Sequence, residues 1–73
     1  MAARWWRLVS SDRFSGESNS LEYEIVELMS GDPQKRWWSV TSMMQELSYS
    51  RSWREEFGHA LHKLEVHGVV SMR

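Results

Sequence analysis

A chain of 73 residues is long enough for one small domain and too short for two. It contains no cysteine, which excludes disulfide bonds and thiolate metal sites, so its five tryptophans, two tyrosines and two phenylalanines must supply much of the core. The formal net charge of −1 excludes the overall basic excess that is typical of strong nonspecific nucleic-acid binders. Because a core this small is marginal, dimerisation is a further source of buried area, and a homodimer is one expected assembly.

The first nine residues are predicted to form a strand, because Trp5, Trp6, Leu8 and Val9 favour extended backbone. The serine-rich residues 10–19 read as a linker. The start of the chain is too short and too charged for a signal peptide, and no apolar run approaches the about 18 residues that cross a bilayer. We therefore expect a single domain over residues 1–73 in the cytoplasm, without a membrane partner.

The first helix is predicted near residues 20–30. Asn19 and Glu22 have the spacing of an N-cap and its third helical residue, and Gly31-Asp32-Pro33 is typical of a helix end followed by a turn. Apolar side chains at helical spacing form its inner face: Leu21, Ile25, Leu28 and Met29. The outer side of this helix is acidic, whereas residues 33–54 carry four basic residues and one acidic residue, Glu46. The net charge of the chain is therefore close to zero although its surface is bipolar.

The second helix is predicted near residues 40–47, after a short extended stretch at 36–38. Ser39 or Thr41 is positioned to cap it. Its inner face consists of four apolar residues at helical spacing: Val40, Met43, Met44 and Leu47.

The third helix is predicted over residues 52–67, starting with the capping-box spacing Ser52-x-x-Glu55. Gly68 ends it in the left-handed conformation, and Val69 and Val70 then begin a strand. The predicted core packs the inner face of this helix against the first two helices: Trp53, Phe57, Leu61 and Leu64 against Ile25, Leu28, Met43 and Leu47.

The pattern Val40-x-x-Met43-Met44-x-x-Leu47, followed by Phe57-x-x-Ala60-Leu61-x-x-Leu64-Glu65-x-x-Gly68-x-Val70, resembles the winged helix-turn-helix superfamily, in particular bacterial regulators of the MarR, PadR and ArsR kinds. The resemblance covers residues 21–70. It implies an α+β fold, a small three-helix winged-helix-like domain with a short two- or three-stranded sheet. It also implies a third helix that enters the DNA major groove.

The wing is where the chain departs from that superfamily. There, a strand after the third helix turns back into a returning strand, but only five residues follow Gly68 here. We therefore expect a truncated wing in which residues 5–9 pair with residues 69–72, since an unpaired strand edge is a liability.

The first function hypothesis is a small DNA-binding regulator. In it, the third helix presents Arg51, Arg54, Glu55, His59 and His62 to duplex DNA, and Lys35 and Arg36 contact phosphate. The alternative for this face is an ordinary solvated surface of balanced charge. Gly58 on the same face costs about 1 kcal/mol of helix stability relative to alanine, and it either admits a partner or relieves crowding beside its aromatic neighbours. His-x-x-His alone is a weak metal signal, so we predict no metal site.

The second hypothesis is a protein-interaction module, either an adapter or a phage-type inhibitor, that uses the acidic first helix and exposed tryptophans. Arg-Trp-Trp occurs at residues 4–6 and again at 36–38, which makes Trp5, Trp6, Trp37 and Trp38 the candidate contacts. Strand alternation sends neighbouring side chains to opposite faces, so one tryptophan of each pair should be exposed. Arginine beside tryptophan also suits single-stranded nucleic acid. No catalytic set stands out, so we predict neither an enzyme nor a cofactor.

Overall fold

A computed structural model describes residues 4–73, which form a small compact α+β domain. Within this range there are three α-helices and two short strands: β1 (Trp6–Leu8), α1 (Leu21–Gly31), α2 (Val40–Glu46), α3 (Arg54–Val66) and β2 (Val70–Met72). Two 3-10 turns, Ser11–Arg13 and Arg51–Trp53, complete the described elements. No helix between residues 4 and 73 combines the length and the apolar character that a membrane crossing requires.

The sheet joins the two ends of the chain. β1 runs antiparallel to β2, with Trp6 opposite Met72 and Leu8 opposite Val70. On its other side β1 meets Trp38, whose backbone exchanges two hydrogen bonds of 2.7 and 2.8 Å with Trp6. The predicted pairing of residues 5–9 with 69–72 is therefore confirmed, and β1 lies between β2 and the segment that precedes α2.

The core lies between the inner face of this sheet and the three helices. Six side chains in it have almost no contact with solvent: Ile25, Met43, Phe57, Leu61, Leu64 and Val69. The prediction for Phe57, Leu61 and Leu64 is confirmed. Leu28 and Leu47 are half-buried at the edge of the same cluster.

The helix ends follow the sequence signals only in part. The Ser39 side chain accepts a hydrogen bond from the Ser42 N–H, and Gly68 adopts a φ of +76°, both as predicted. The N-cap of α1 is Ser20 rather than Asn19, since the Ser20 hydroxyl accepts from the Tyr23 N–H. The predicted capping box at Ser52 is wrong, because Ser52 belongs to a 3-10 turn.

That 3-10 turn also changes the orientation of Trp53. α3 begins at Arg54, so Trp53 does not share the phase of the residues that follow it in the helix. Its side chain is 42% exposed and packs edge-on against Tyr49 with ring centroids 4.9 Å apart. The prediction that Trp53 belongs to the core is therefore wrong.

Tyr49 ties the turn after α2 to α1. Its hydroxyl donates a hydrogen bond to the Glu24 carboxylate, and this bond, with a smaller contribution from burial, raises the pKa of Tyr49 above its ordinary value. The neutral phenol is the form that the fold stabilises.

Replacing Tyr49 with phenylalanine should lower the free energy of unfolding by about 0.5–1.5 kcal/mol at neutral pH, because the ring stays and one hydrogen bond is lost. Since the folded pKa is raised, this contribution is present below the unfolded pKa of about 10 and is lost as the pH rises through the folded value. Urea denaturation of both proteins at neutral and alkaline pH measures the difference. A difference independent of pH would show that the hydroxyl is not its source.

Candidate nucleic-acid interface

Two surfaces of the domain group basic side chains without a carboxylate among them. The first, which we call the helical surface, lies where α2 approaches the start of α3. The cavity there is lined by Thr41, Met44, Gln45, Tyr49, Ser50, Arg51 and Arg54. Arg54 donates from Nη2 to the Thr41 hydroxyl over 2.9 Å, whereas Arg51 is exposed in the 3-10 turn. The helical surface thus combines two exposed guanidinium groups, one of them held by a hydrogen bond, with neutral hydrogen-bonding groups.

The predicted outward face of α3 is not part of the cavity at the helical surface, and His59 lines a separate groove between α1 and α3 with Glu22 and Lys63. Glu55, His59 and His62 are all exposed along this face of α3. No group of three or more metal-ligating side chains occurs within the described part of the chain. A Cβ built on Gly58 meets no atom within 4 Å outside the adjacent residues of the chain, so crowding by Trp53 does not require the glycine.

Lys35 and Arg36 lie on a different part of the domain from the helical surface with Arg51 and Arg54. They line a groove with Arg7, Trp37 and Trp38, which also includes Leu8, Met29, Ser30 and Pro33. Lys35 lies with Nζ 4.3 Å from the centroid of the Trp38 ring, and its carbonyl accepts a 3.0 Å hydrogen bond from the Trp38 indole.

The second surface, which we call the sheet surface, is the outer face of β1 and its neighbours. Its side chains are those that alternate with the buried Trp6 and Trp38: Trp5, Arg7, Trp37, Ser71 and Arg73. The Arg73 N–H donates to the Trp5 carbonyl over 2.8 Å, which extends the pairing of β1 and β2 by one residue. The guanidinium carbons of Arg7 and Arg73 lie 5.7 and 5.4 Å from the centroid of the Trp37 ring.

The four candidate tryptophans therefore divide between the core and the surface. Trp6 and Trp38 are 6% and 2% exposed, so their side chains belong to the core. Trp5 is 40% exposed, as alternation predicted. Trp37 is half-buried and not fully exposed, because Arg7 and Arg73 lie against its ring.

Arg7, Arg73, Thr41 and Gln45 were not among the residues that the sequence singled out. Arg7 had a detectable signal, since it alternates with Trp6 and Leu8 in a predicted strand. Arg73 had none, because it reaches Trp37 only through the pairing of the two chain ends.

Comparison of the chain with protein-family models, with curated protein sequences and with solved structures gives no match.

A further cavity of about 270 Å³ lies between the linker and the end of α3. Basic and acidic side chains line it together, Arg13 and Lys63 with Glu17 and Glu22. Lys63 and Glu22 form an ion pair at 3.9 Å across part of it. The helical surface and the sheet surface are therefore the stronger candidates for a functional site.

Proposed function

We propose that the protein is a small winged-helix-like regulator that binds duplex DNA through the helical surface. The observation that carries the proposal is the meeting of Arg51 and Arg54 with Thr41, Gln45 and Ser50 in a cavity that no carboxylate lines. Arginine provides the commonest specific contact to guanine, and hydroxyl and amide groups bond to phosphates and base edges.

The strand arrangement supports the winged-helix part of the proposal. In that architecture a returning strand follows the third helix, and in this chain β1 pairs with β2 from the opposite end of the sequence. β1 also reaches Trp38, just before α2, so the short sheet braces both helices of the proposed DNA-binding pair. The partner strand of β2 thus comes from the N-terminal segment.

The contacts of the two arginines suggest different roles in the proposed complex. Arg54 is held by Thr41, which suits a fixed contact to phosphate. Arg51 is exposed and has no side-chain hydrogen bond within residues 4–73, which suits readout of a base edge. Glu55 is suited to accept from a cytosine amino group, and the bare backbone at Gly58 lets the duplex lie close to α3.

The test is the separate replacement of the two arginines. Arg51→Ala should weaken binding to a cognate duplex by about 1–3 kcal/mol and relax its sequence preference, whereas Arg54→Ala should weaken all duplexes by a smaller and similar amount. A duplex selected from a random pool at low salt, followed by fluorescence anisotropy, measures both effects.

Arg7→Ala, which removes one cation from the sheet surface, is the matched control and should leave duplex affinity nearly unchanged. Failure of any duplex to bind at low salt, where electrostatic attraction is strongest, rules out the proposal.

The exposed apolar side chains favour a second candidate, a protein-interaction module. Trp5, Trp53 and Val66 are large and exposed. The first turn of α1 is acidic, and Glu22 from it lines one groove with Trp53. Exposed tryptophan is over-represented among binding hot spots. An interaction anchored by these residues should survive nuclease treatment and raised salt, whereas duplex binding should be lost under both conditions.

A further inference from the structure

We propose that the sheet surface is a second binding site and that its ligand is single-stranded nucleic acid. The inference is independent of duplex binding, because none of its residues belongs to the helical surface. It rests on the grouping of two aromatic rings, Trp5 exposed and Trp37 half-buried, with four cations.

The first step is the arrangement around Trp37. Arg7 and Arg73 both lie within cation–π distance of its ring, at 5.7 and 5.4 Å. Only Lys63 and Glu22 form an ion pair within residues 4–73, so neither guanidinium has a carboxylate partner there. Two cations held by an aromatic ring, rather than by anions, retain their full charge for an anionic ligand.

The second step is the groove that continues from Trp37. Lys35 and Arg36 line it together with Arg7, and no acidic side chain does. These three bases and Arg73 lie on a chain whose formal net charge is −1, so the remainder of the molecule is net acidic. A basic strip on an otherwise acidic protein selects a polyanion and orients it along the strip.

The third step is the second aromatic ring. Trp5 is 40% exposed on the same face as Arg7, two residues away in the same extended segment. That spacing is about 7 Å along a strand. Arg7 in turn lies against the Trp37 ring, so the two tryptophans flank the same cation. Trp5 can stack on one base, and a second base can stack on Trp37 where it displaces one guanidinium from the ring toward the connecting phosphate.

This combination distinguishes among anionic ligands. Base faces are hidden by stacking in a duplex and are free in a single strand, where each one stacks favourably on an aromatic side chain. An acidic peptide would satisfy the cations but offers no ring for Trp5 and Trp37. Charge and aromatic complementarity together favour the single strand.

The test uses fluorescence anisotropy of a labelled oligothymidylate of about 12 nucleotides, within the usual site size of single-strand binders. The full chain should bind it at low salt. Trp37→Ala should weaken the complex about 5- to 150-fold, the equivalent of about 1–3 kcal/mol for one stacked base, and Trp37→Phe should restore much of the loss. Circular dichroism establishes that each variant is folded.

Two double variants of equal charge separate the sheet surface from overall electrostatics. Arg7→Gln with Arg73→Gln should weaken oligothymidylate binding and reduce the slope of log affinity against log salt by about 1.4, since each phosphate contact contributes about 0.7. Arg51→Gln with Arg54→Gln removes the same charge and should leave oligothymidylate binding nearly intact. This control also remains informative if the Trp37 variants do not fold.

Three results would overturn the inference: no binding of oligothymidylate at low salt, equal losses in the two double variants, or equally tight binding of oligoglutamate, which would assign the surface to an acidic protein partner. Failure of duplex binding alone leaves the inference standing, because the single strand is measured separately. Retention of single-strand binding by the Arg51 and Arg54 double variant, with loss of duplex binding, supports both proposals.

Discussion

Removal of residues 1–9 is expected to unfold the domain under conditions in which the full chain is folded. β1 is the inner member of the sheet, with Trp38 on one side and β2 on the other. Its loss removes the ladder to β2, the two hydrogen bonds to Trp38 and the bond from the Val9 N–H to the Val69 carbonyl. It also removes Trp6, which is part of the core.

The magnitude follows from the size of the domain. Loss of one buried tryptophan costs about 3–5 kcal/mol, and a domain of this length has a total stability of about 4–11 kcal/mol. Losing Trp6 together with the strand hydrogen bonds should therefore consume most of the stability. The exposed edge of β2 should also promote aggregation.

Circular dichroism during a thermal scan, with the near-ultraviolet tryptophan signal, measures the outcome. The full chain carrying Trp5→Ala is the control, since it retains β1 and loses only an exposed side chain. Adding a peptide of residues 4–10 to the truncated chain should restore part of the folded signal if pairing is the cause. An unchanged melting midpoint after truncation would mean that the segment contributes nothing to the fold.

The helical core and the pairing of the chain ends could be predicted because each depends on a local pattern. Phe57, Leu61 and Leu64 repeat at helical spacing, which fixes the face of α3 that meets α1 and α2. The pairing of β1 with β2 follows from strand-forming apolar residues in both segments and from the need of β2 for a partner. Gly68 marks the helix end because few other residues accept its positive φ.

The start of α3 could not be predicted because two local signals compete there. Ser52 and Glu55 have capping-box spacing, but the Ser52 hydroxyl lies 2.8 Å from the Ser50 hydroxyl and the backbone forms a 3-10 turn instead. Because residues 51–53 form a 3-10 turn rather than the first turn of an α-helix, the Trp53 side chain does not point in the direction that the helical spacing predicts. A sequence pattern has no direct information about that choice.

The sheet surface could be predicted only in part, for a different reason. Both Arg-Trp-Trp segments were visible, and alternation correctly separated Trp5 from Trp6. The meeting of Arg7, Trp37 and Arg73 depends on tertiary pairing among residues that are about 30 positions apart or more, and no local pattern contains it. Lys35 and Arg36 lie with this group because the segment before α2 runs beside β1.

Replacement of Phe57 with alanine is expected to cost about 3–5 kcal/mol of unfolding free energy, as for other large side chains removed from a core. Phe57 is completely buried and contacts Tyr49 edge-on, with ring centroids 5.2 Å apart. Because α3 packs on α1, α2 and β2, a cavity at this position weakens the contacts of all of them.

Trp53→Ala is the matched comparison, since Trp53 is an aromatic residue four positions earlier that packs on the same Tyr49 ring. It is 42% exposed, so its removal should cost only about 0.5–1.5 kcal/mol, the value of one aromatic pair. Urea denaturation at equal protein concentration gives both free energies, and similar slopes would indicate that the unfolded states are alike. Equal losses in the two variants would mean that α3 begins at Ser52 with Trp53 in the core, as the capping-box spacing predicts. A large loss for Phe57 alone supports the 3-10 start and leaves Trp53 available on the surface.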